Sequence, residues 1–510
     1  MTTTMSLARL LDEPCARHPD KLAVVDGARR VSCAALRAIG DRLAAAFADA
    51  GMRGQRVATL LPNGIELLGC YLGCWASGAV AVPFEYVDAP PEIRYGLTDS
   101  GAQWLIVHED KLDDLVQVDL RQTAVETVFV VGAPRPGQRA FAPLMATAPR
   151  PLPPPAPDDL AFILYTSGST ALPKGVMHSH ASAAGVVASV CAALPAMDAD
   201  ARMVVHDSVS HMGGWIEVFP LLWRGGTAVL EADFEPSRFY GDLREWRPTI
   251  VGAHVDHLWQ IVRQPGAQRA DFASVRTVFT GGDELPLSLQ RAFMALSGQP
   301  IQVGWGMTEA IWLTIASRPE LERRGYMGRP VDRVELRVVG ADDRDVADGA
   351  AGELWVRGPM VSPGYWNKPE ADREVFANGW LRTGDMGLRD ANGDYWFTGR
   401  RKQIIERNSE NITPGEIEQA LYRHPAVAEA AAFGVPDADE GQVPIAYVLF
   451  KSGARASEEA LKAFLAMQIA AFKIPARIFA LDEMPLTHSG KIDHQALAAR
   501  YAREQQPGTP

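Results

Sequence analysis

The sequence predicts an α/β protein with a large N-terminal domain of sheets flanked by helices and a small α+β C-terminal domain. Three observations lead there. Short apolar runs with β character alternate with helical stretches over most of the chain. One such run, 161–165, opens into a loop made almost entirely of hydroxyl side chains and glycine. Beyond Gly399 a charged stretch gives way to a separate set of short strands and capped helices.

The N-terminal strands are placed at 22–25, 57–61, 103–107 and 127–131, with helices at 32–50 and 64–76 between them. Residues 150–157 are proline-rich and read as an extended spacer before the strand that carries the loop. Residues 181–197 are apolar but rich in Ala, Ser and Gly and contain Pro195. The run falls short of the ~20 residues that span a bilayer, so a buried helix is expected. Shorter strands follow at 334–339, 352–357, 395–398 and 404–405. In the C-terminal part, 413–421 is an amphipathic helix with Pro414 in its first turn, and 457–467 is a helix capped by Ser457.

The chain has 510 residues, 47% of them apolar and 22% charged, with a formal charge of -12. That length calls for more than one core. The charge excludes broad nucleic-acid backbone binding, which needs a basic face. The five cysteines show no disulfide framework and no zinc spacing, and Cys70 and Cys74 read as reduced core residues. The start of the chain lacks a charged-then-apolar leader, so a cytoplasmic protein without a membrane span is expected.

The loop is Thr166-Ser167-Gly168-Ser169-Thr170-Ala171-Leu172-Pro173-Lys174-Gly175. Small side chains, O–H donors, accessible backbone N–H groups and one cation suit a polyphosphate. It is not a Walker A loop, because the second glycine of that pattern falls on Pro173.

The string from Tyr165 to Val176 resembles the signature of the AMP-binding, adenylate-forming superfamily, although Ala171 stands where that family usually has glycine. Further segments resemble its motifs in the same order: Gly281-Gly282-Asp283, Trp305-Gly306-Met307-Thr308-Glu309, Thr383-Gly384-Asp385, Gly399-Arg400, and 485–492 with Lys491. The resemblance implies bound ATP and Mg2+. Thr166 to Thr170 and Lys174 would face the phosphates. Gly281, Gly282, Asp283, Trp305, Gly306, Met307 and Phe397 would lie at the nucleotide, with the aromatic ring on adenine. Thr308 would meet the α-phosphate, Glu309 and Thr170 the metal, and Asp385 and Arg400 the ribose and phosphate. The domains would be 1–399, a hinge at 400–403 and a mobile lid at 404–510 that carries Lys491 into the site.

The implied chemistry is activation of a carboxylic acid to acyl-AMP with release of pyrophosphate, then transfer to CoA. His211, Trp215, Gly252, Ala253, His254 and Ile311 would line the acid pocket. The Phe-Asp pair of amino-acid adenylating domains is missing near His211, which favours a plain carboxylate; the leading expectation is a hydrophobic carboxylic acid. Gly252 and Ala253 suggest a wide pocket. Gln403 at the hinge and Ser409 within Asn408-Ser409-Glu410-Asn411 depart from the lid motifs, leaving open an enzyme that hands acyl-AMP to a separate acyl-accepting protein. A luciferase-like oxygenase and a non-catalytic binding protein are the other classes, and a homodimer stays open.

Overall fold

The computed structural model describes residues 6–166, 173–282, 285–316, 325–407, 410–437, 440–485 and 492–505. Two large sheets organise the N-terminal part. In the larger, Ile301–Met307, Thr277–Gly281, Ile250–Gly252, Arg202–Val205, Thr227–Leu230 and Leu22–Asp26 run parallel, side by side in that order. Beyond Ile301–Met307 the sheet turns antiparallel through Ala310–Ala316, Tyr326–Pro330, Tyr395–Arg400, Trp380–Arg389, Ala351–Arg357 and Glu335–Val339. The second sheet runs Gly364–Tyr365, Lys174–Ser179, Leu160–Thr166, Val80–Pro83, Arg56–Leu60, Trp104–His108, Thr127–Val131 and Arg139–Ala140. Only its first two pairings are antiparallel.

Helices cover these sheets, which is why the parallel strands read as continuous apolar runs rather than alternating ones. Cys33–Asp49 is started by Ser32, whose hydroxyl accepts from the Ala35 amide at 3.3 Å. It packs against Ile65–Ser77 at very close range. A Cβ on Gly73 would lie 2.7 Å from Leu43 Cβ, so the helices can approach this far only with glycine there. The predicted apolar segment forms the buried helix His180–Ala193, ending before Pro195. Residues 150–157 lie outside helix and strand as expected. Among the described residues no helix is long and apolar enough to cross a membrane.

The main core is aromatic at its centre. Trp75 is fully buried, with ring centroids of Phe219 at 4.6 Å, Tyr71 at 5.3 Å and Trp215 at 6.0 Å. The C-terminal domain has its own sheet, Glu410–Ile412, Ile405–Arg407, Gly441–Phe450 and Val427–Asp437, with Arg477–Leu481 added parallel to Gly441–Phe450. Its apolar clusters draw only on residues of that domain. Contact with the rest includes Gln419 Nε2 donating to the Phe397 carbonyl at 3.2 Å.

One expectation is corrected. Cys15 and Cys33 are joined as a disulfide. The pairing is not visible in spacing because it depends on tertiary packing: Cys15 sits in the helix Asp12–Arg17 and Cys33 begins the helix packed beside it. Cys70 and Cys74 are free and buried, as read, and Cys191 is free and buried too.

Replacing Trp75 by alanine removes the ring shared by these core contacts. The expected cost is about 3–5 kcal/mol, read as a lower urea midpoint at unchanged m-value.

Candidate active site

The strands Ile301–Met307 and Ala310–Ala316 pair antiparallel, with Met307 opposite Ala310. Thr308 and Glu309 are therefore the two central residues of a tight hairpin turn at the carboxyl end of a parallel strand, the usual ligand edge of an open α/β sheet. His178 from the other sheet reaches this turn, its Nε2 donating to the Thr308 carbonyl at 2.8 Å. Burial holds the His178 imidazole neutral, its pKa lowered to about 4 although the Thr308 carbonyl favours the charged form. Nε2 then carries the proton, and Nδ1 is left to accept from Ser182 Oγ at 3.3 Å. The Ser362 amide donates to the Glu309 carbonyl at 2.7 Å, fixing the second turn residue.

Glu309 meets the phosphate loop through a residue the motifs did not single out. The Tyr365 hydroxyl donates to Glu309 Oε1 at 2.5 Å, and the Lys174 ammonium lies over the Tyr365 ring, 4.9 Å from its centroid. Burial, then the Glu309 charge, raise the Tyr365 pKa, so the phenol stays protonated and donates. Thr166 and Lys174 face each other as the last paired residues at the base of the loop. Tyr165 is anchored below it, its hydroxyl donating to Asp99 Oδ2 at 2.8 Å. Ser167, Gly168, Ser169, Thr170 and Ala171 lie outside the described residues.

A second convergence brings three separate motifs together. Trp305 Nε1 donates to Asp385 Oδ2 at 2.9 Å, and Arg400 Nε lies 3.3 Å from Asp385 Oδ1. Asp385 is buried, and burial raises its pKa against the opposing pull of Arg400 and Trp305. The Thr-Gly-Asp turn is shaped by Gly384, whose φ of 73° is left-handed, and by Glu353, whose Oε1 accepts the Gly384 amide at 3.1 Å. Glu353 also accepts from Arg401 at 3.4 Å. Both Glu353 and Tyr365 sit in strands whose local sequence carries no motif signal. Gly281 ends the neighbouring parallel strand, Gly282 follows it, and Phe397 lies on the strand paired with Trp380–Arg389. Asp283 lies outside the described residues.

Next along the carboxyl edge come the residues read as acid-binding. His211 caps the helix Met212–Trp223, its Nδ1 accepting the Gly213 amide at 3.1 Å. His254 Nε2 lies 3.2 Å from Asp207 Oδ2. Ile311 follows the Thr308-Glu309 turn. Trp215 is fully buried among Trp75, Phe162 and Phe219, a core position. Gly252 does not open space: the Glu217 carboxyl fills the place a Cβ would take, with Met203 Cε at 2.6 Å and Phe279 Cζ at 2.7 Å. The width expected from Gly252 is thus absent, because a buried acid from another element occupies it. Ala253 is buried beside it.

The family model described as AMP-binding enzyme matches residues 11–366, and the one described as AMP-binding enzyme C-terminal domain matches residues 416–491. The chain belongs to the AMP-binding enzyme family. Among its relatives, a sulfoacetate–CoA ligase of Cupriavidus necator is 33% identical over 500 residues, covering 96% of this chain and 97% of the relative. A feruloyl-CoA synthase of an Amycolatopsis species is 33% identical, covering 93% and 94%. Among solved structures, ATP-bound MatB from Rhodopseudomonas palustris superimposes with a TM-score of 0.85 at 26% identity, covering 98% of this chain and 100% of that one.

Magnesium fits the AMP-binding site by its chemistry. It is usually held by one or two carboxylates together with substrate phosphates rather than by an all-protein cage. Glu309 supplies such a carboxylate, with only Oε1 engaged by Tyr365 in the hydrogen bond described above. Thr170 and Lys491 lie outside the described residues.

His178 sets a pH dependence. Its folded pKa of about 4 lies below the ordinary 6.5, so between those values the unfolded chain takes up a proton that the folded one does not. Stability therefore falls as pH drops through that window, and His180 and His206, both also lowered to about 4 by burial, act in the same sense. The urea midpoint is expected to fall between about pH 7 and about pH 5, and to fall less in His178→Gln.

Proposed function

We propose that this chain is an acid–CoA ligase: it activates a carboxylic acid with MgATP to acyl-AMP and pyrophosphate, then transfers the acyl group to CoA. The observation that carries the reading is the meeting of Trp305, Asp385 and Arg400, from three distant motifs, in one group joined by a hydrogen bond and an ion pair, near enough to Glu309 to feel its charge. CoA as acceptor is supported by the relatives, which are named as a sulfoacetate–CoA ligase and a feruloyl-CoA synthase.

In the first step a carboxylate oxygen of the acid attacks the α-phosphorus in line. The new C–O–P bond forms as the bond to the β-phosphate oxygen breaks, and pyrophosphate leaves with the electron pair. No protein nucleophile is required, so the enzyme acts by positioning and by stabilising charge. Asp385 accepts from the ribose hydroxyls, since its Oδ2 takes one hydrogen bond from Trp305 and both of its oxygens keep acceptor capacity. Lys174 and the loop hydroxyls bind phosphate oxygens, and Lys491 neutralises charge where the acid attacks. Glu309 and Thr170 would hold magnesium, which would supply charge neutralisation on the phosphates. The domain limits follow the same reading: 1–399 for acid and ATP, a hinge at 400–403, and a lid at 404–510. In the second step the CoA thiol attacks the acyl carbon, the acyl–phosphate bond breaks and AMP leaves.

Incubating the protein with acid and MgATP, with and without CoA, is expected to give pyrophosphate in both cases and acyl-CoA only with CoA. Acyl-AMP accumulating with no acyl-CoA would replace this reading by transfer to another acceptor. Lys491→Ala should keep the fold by circular dichroism and lose most acid-dependent pyrophosphate release. Tyr365→Phe deletes the hydrogen bond to Glu309 and should lower kcat about tenfold.

A further inference from the structure

Four titratable side chains gather at the acid end of the carboxyl edge. Asp207 follows the strand Arg202–Val205, His254 follows Ile250–Gly252, His257 lies on the helix Val255–Arg263, and Glu217 lies on the helix Met212–Trp223. Asp207 Oδ2 is 3.2 Å from His254 Nε2, and Asp207 Oδ1 is 3.7 Å from His257 Nδ1. The site of a Cβ on Gly213 lies 3.4 Å from His211 Nδ1, 3.5 Å from His254 Nε2 and 3.6 Å from Asp207 Oδ2, so a missing side chain leaves a small space beside His254 and Asp207. Phe234 stacks on His257 with centroids 4.1 Å apart and supplies an apolar wall.

This cluster is incompletely satisfied. Asp207 Oδ1, Glu217 Oε2 and His257 Nδ1 are buried with no hydrogen-bond partner, and Glu217 as a residue is only 2% exposed. Buried polar atoms left unpaired are costly, so a purely structural cluster would normally close on itself. Burial and the nearby Asp207 charge raise the Glu217 pKa well above the carboxylate range, so its carboxyl is neutral, with both a donor and an acceptor. The unmatched set is therefore mixed in character. A hydroxyl, which donates and accepts, complements it. A hydrocarbon end would leave all of it unpaired, and an ammonium, which only donates, would pair with Asp207 but could not accept from the protonated Glu217.

Position supports the same occupant. Adjacent strands are spaced ~4.8 Å, which puts the ends of Ile250–Gly252 and Arg202–Val205 roughly 10–14 Å along the sheet from the Thr308 turn. An acid with its carboxylate at Thr308 would bring its far end there. We propose that Asp207, Glu217, His254 and His257 form a recognition patch for a distal hydroxyl on the carboxylic acid, so that the enzyme selects hydroxy acids over their deoxy counterparts. This rests on the adenylation reading above.

The test is acid-dependent pyrophosphate release with matched acids: 4-hydroxycinnamate, cinnamate and 4-aminocinnamate, then ω-hydroxyoctanoate, octanoate and ω-aminooctanoate. The hydroxylated member of at least one set is expected to have the higher kcat/KM, by roughly 100-fold or more over the deoxy acid. Glu217→Gln keeps a neutral hydrogen-bonding head and should retain that ratio, whereas Glu217→Met should collapse it toward one. Wild-type indifference to the hydroxyl in both sets, or preference for the deoxy or amino acid, would overturn the patch while leaving adenylation standing. Pyrophosphate release with none of the acids would overturn adenylation and the patch together.

Discussion

The site depends on one buried bond between the two large sheets, the one that His178 donates to the Thr308 carbonyl. His178 belongs to the strand that leaves the phosphate loop, and Thr308 to the hairpin turn of the other sheet. With the Tyr365–Glu309 bond, it ties the strand at the loop's exit in one sheet to the Glu309 turn of the other. Burial matters as much as distance. A charged imidazole could not accept from Ser182, and the tautomer that donates to Thr308 is stable only because the ring is kept neutral. Ser362 adds a second stitch, since its amide donates to the Glu309 carbonyl and its hydroxyl to the Met177 carbonyl at 2.7 Å. Reactions accelerated by positioning lose rate steeply with small displacements, so a seam of this kind is where the fold and the chemistry meet.

Around that seam, charge is arranged in two groups rather than one. Lys174 and Glu309 are joined through a tyrosine ring and its hydroxyl, which brings a cation and an anion close without a direct ion pair. Asp385, by contrast, is buried between an indole N–H and a guanidinium, and its desolvation opposes the stabilisation they provide. A buried carboxylate so placed gains from each additional donor, because every hydrogen bond to it recovers part of the hydration it lost. Ribose hydroxyls are donors of that kind.

Most strands and helices were legible because their apolar periods are local. The strand expected at 127–131 is Thr127–Val131, and the helix expected at 32–50 is Cys33–Asp49 with its Ser32 cap. The motifs at Trp305, Asp385 and Arg400 were legible because each is a compact string of unusual residues. What joins them was not. Tyr365, Glu353 and His178 act across sheet pairings, and one residue at each position carries no local pattern. The Cys15–Cys33 disulfide was missed for the same reason, since helix packing makes it. Gly252 shows the converse error: a small residue read as open space is filled by Glu217, 35 positions earlier and from another element.

That last point bears on how far likeness can set the substrate. Relatives named for sulfoacetate and for feruloyl-CoA have the same 33% identity to this chain, although one acid is small and anionic and the other large and aromatic. The seam, the hairpin turn and the Asp385 group concern ATP and the reacting carboxylate, which any acid brings. In the proposed reading, the far end of the acid would lie at the ends of the strands Arg202–Val205 and Ile250–Gly252 and at the start of the helix Met212–Trp223. These positions vary in how closely they are packed, and the site they form is a local graft on the shared frame. The missing Phe-Asp pair weighs against an amino acid, and the groups that gather at these strand ends, Asp207, Glu217 and two histidines, are polar. The absence of one recognition pair excludes one ligand class; the polarity of the groups actually present is what selects among the rest.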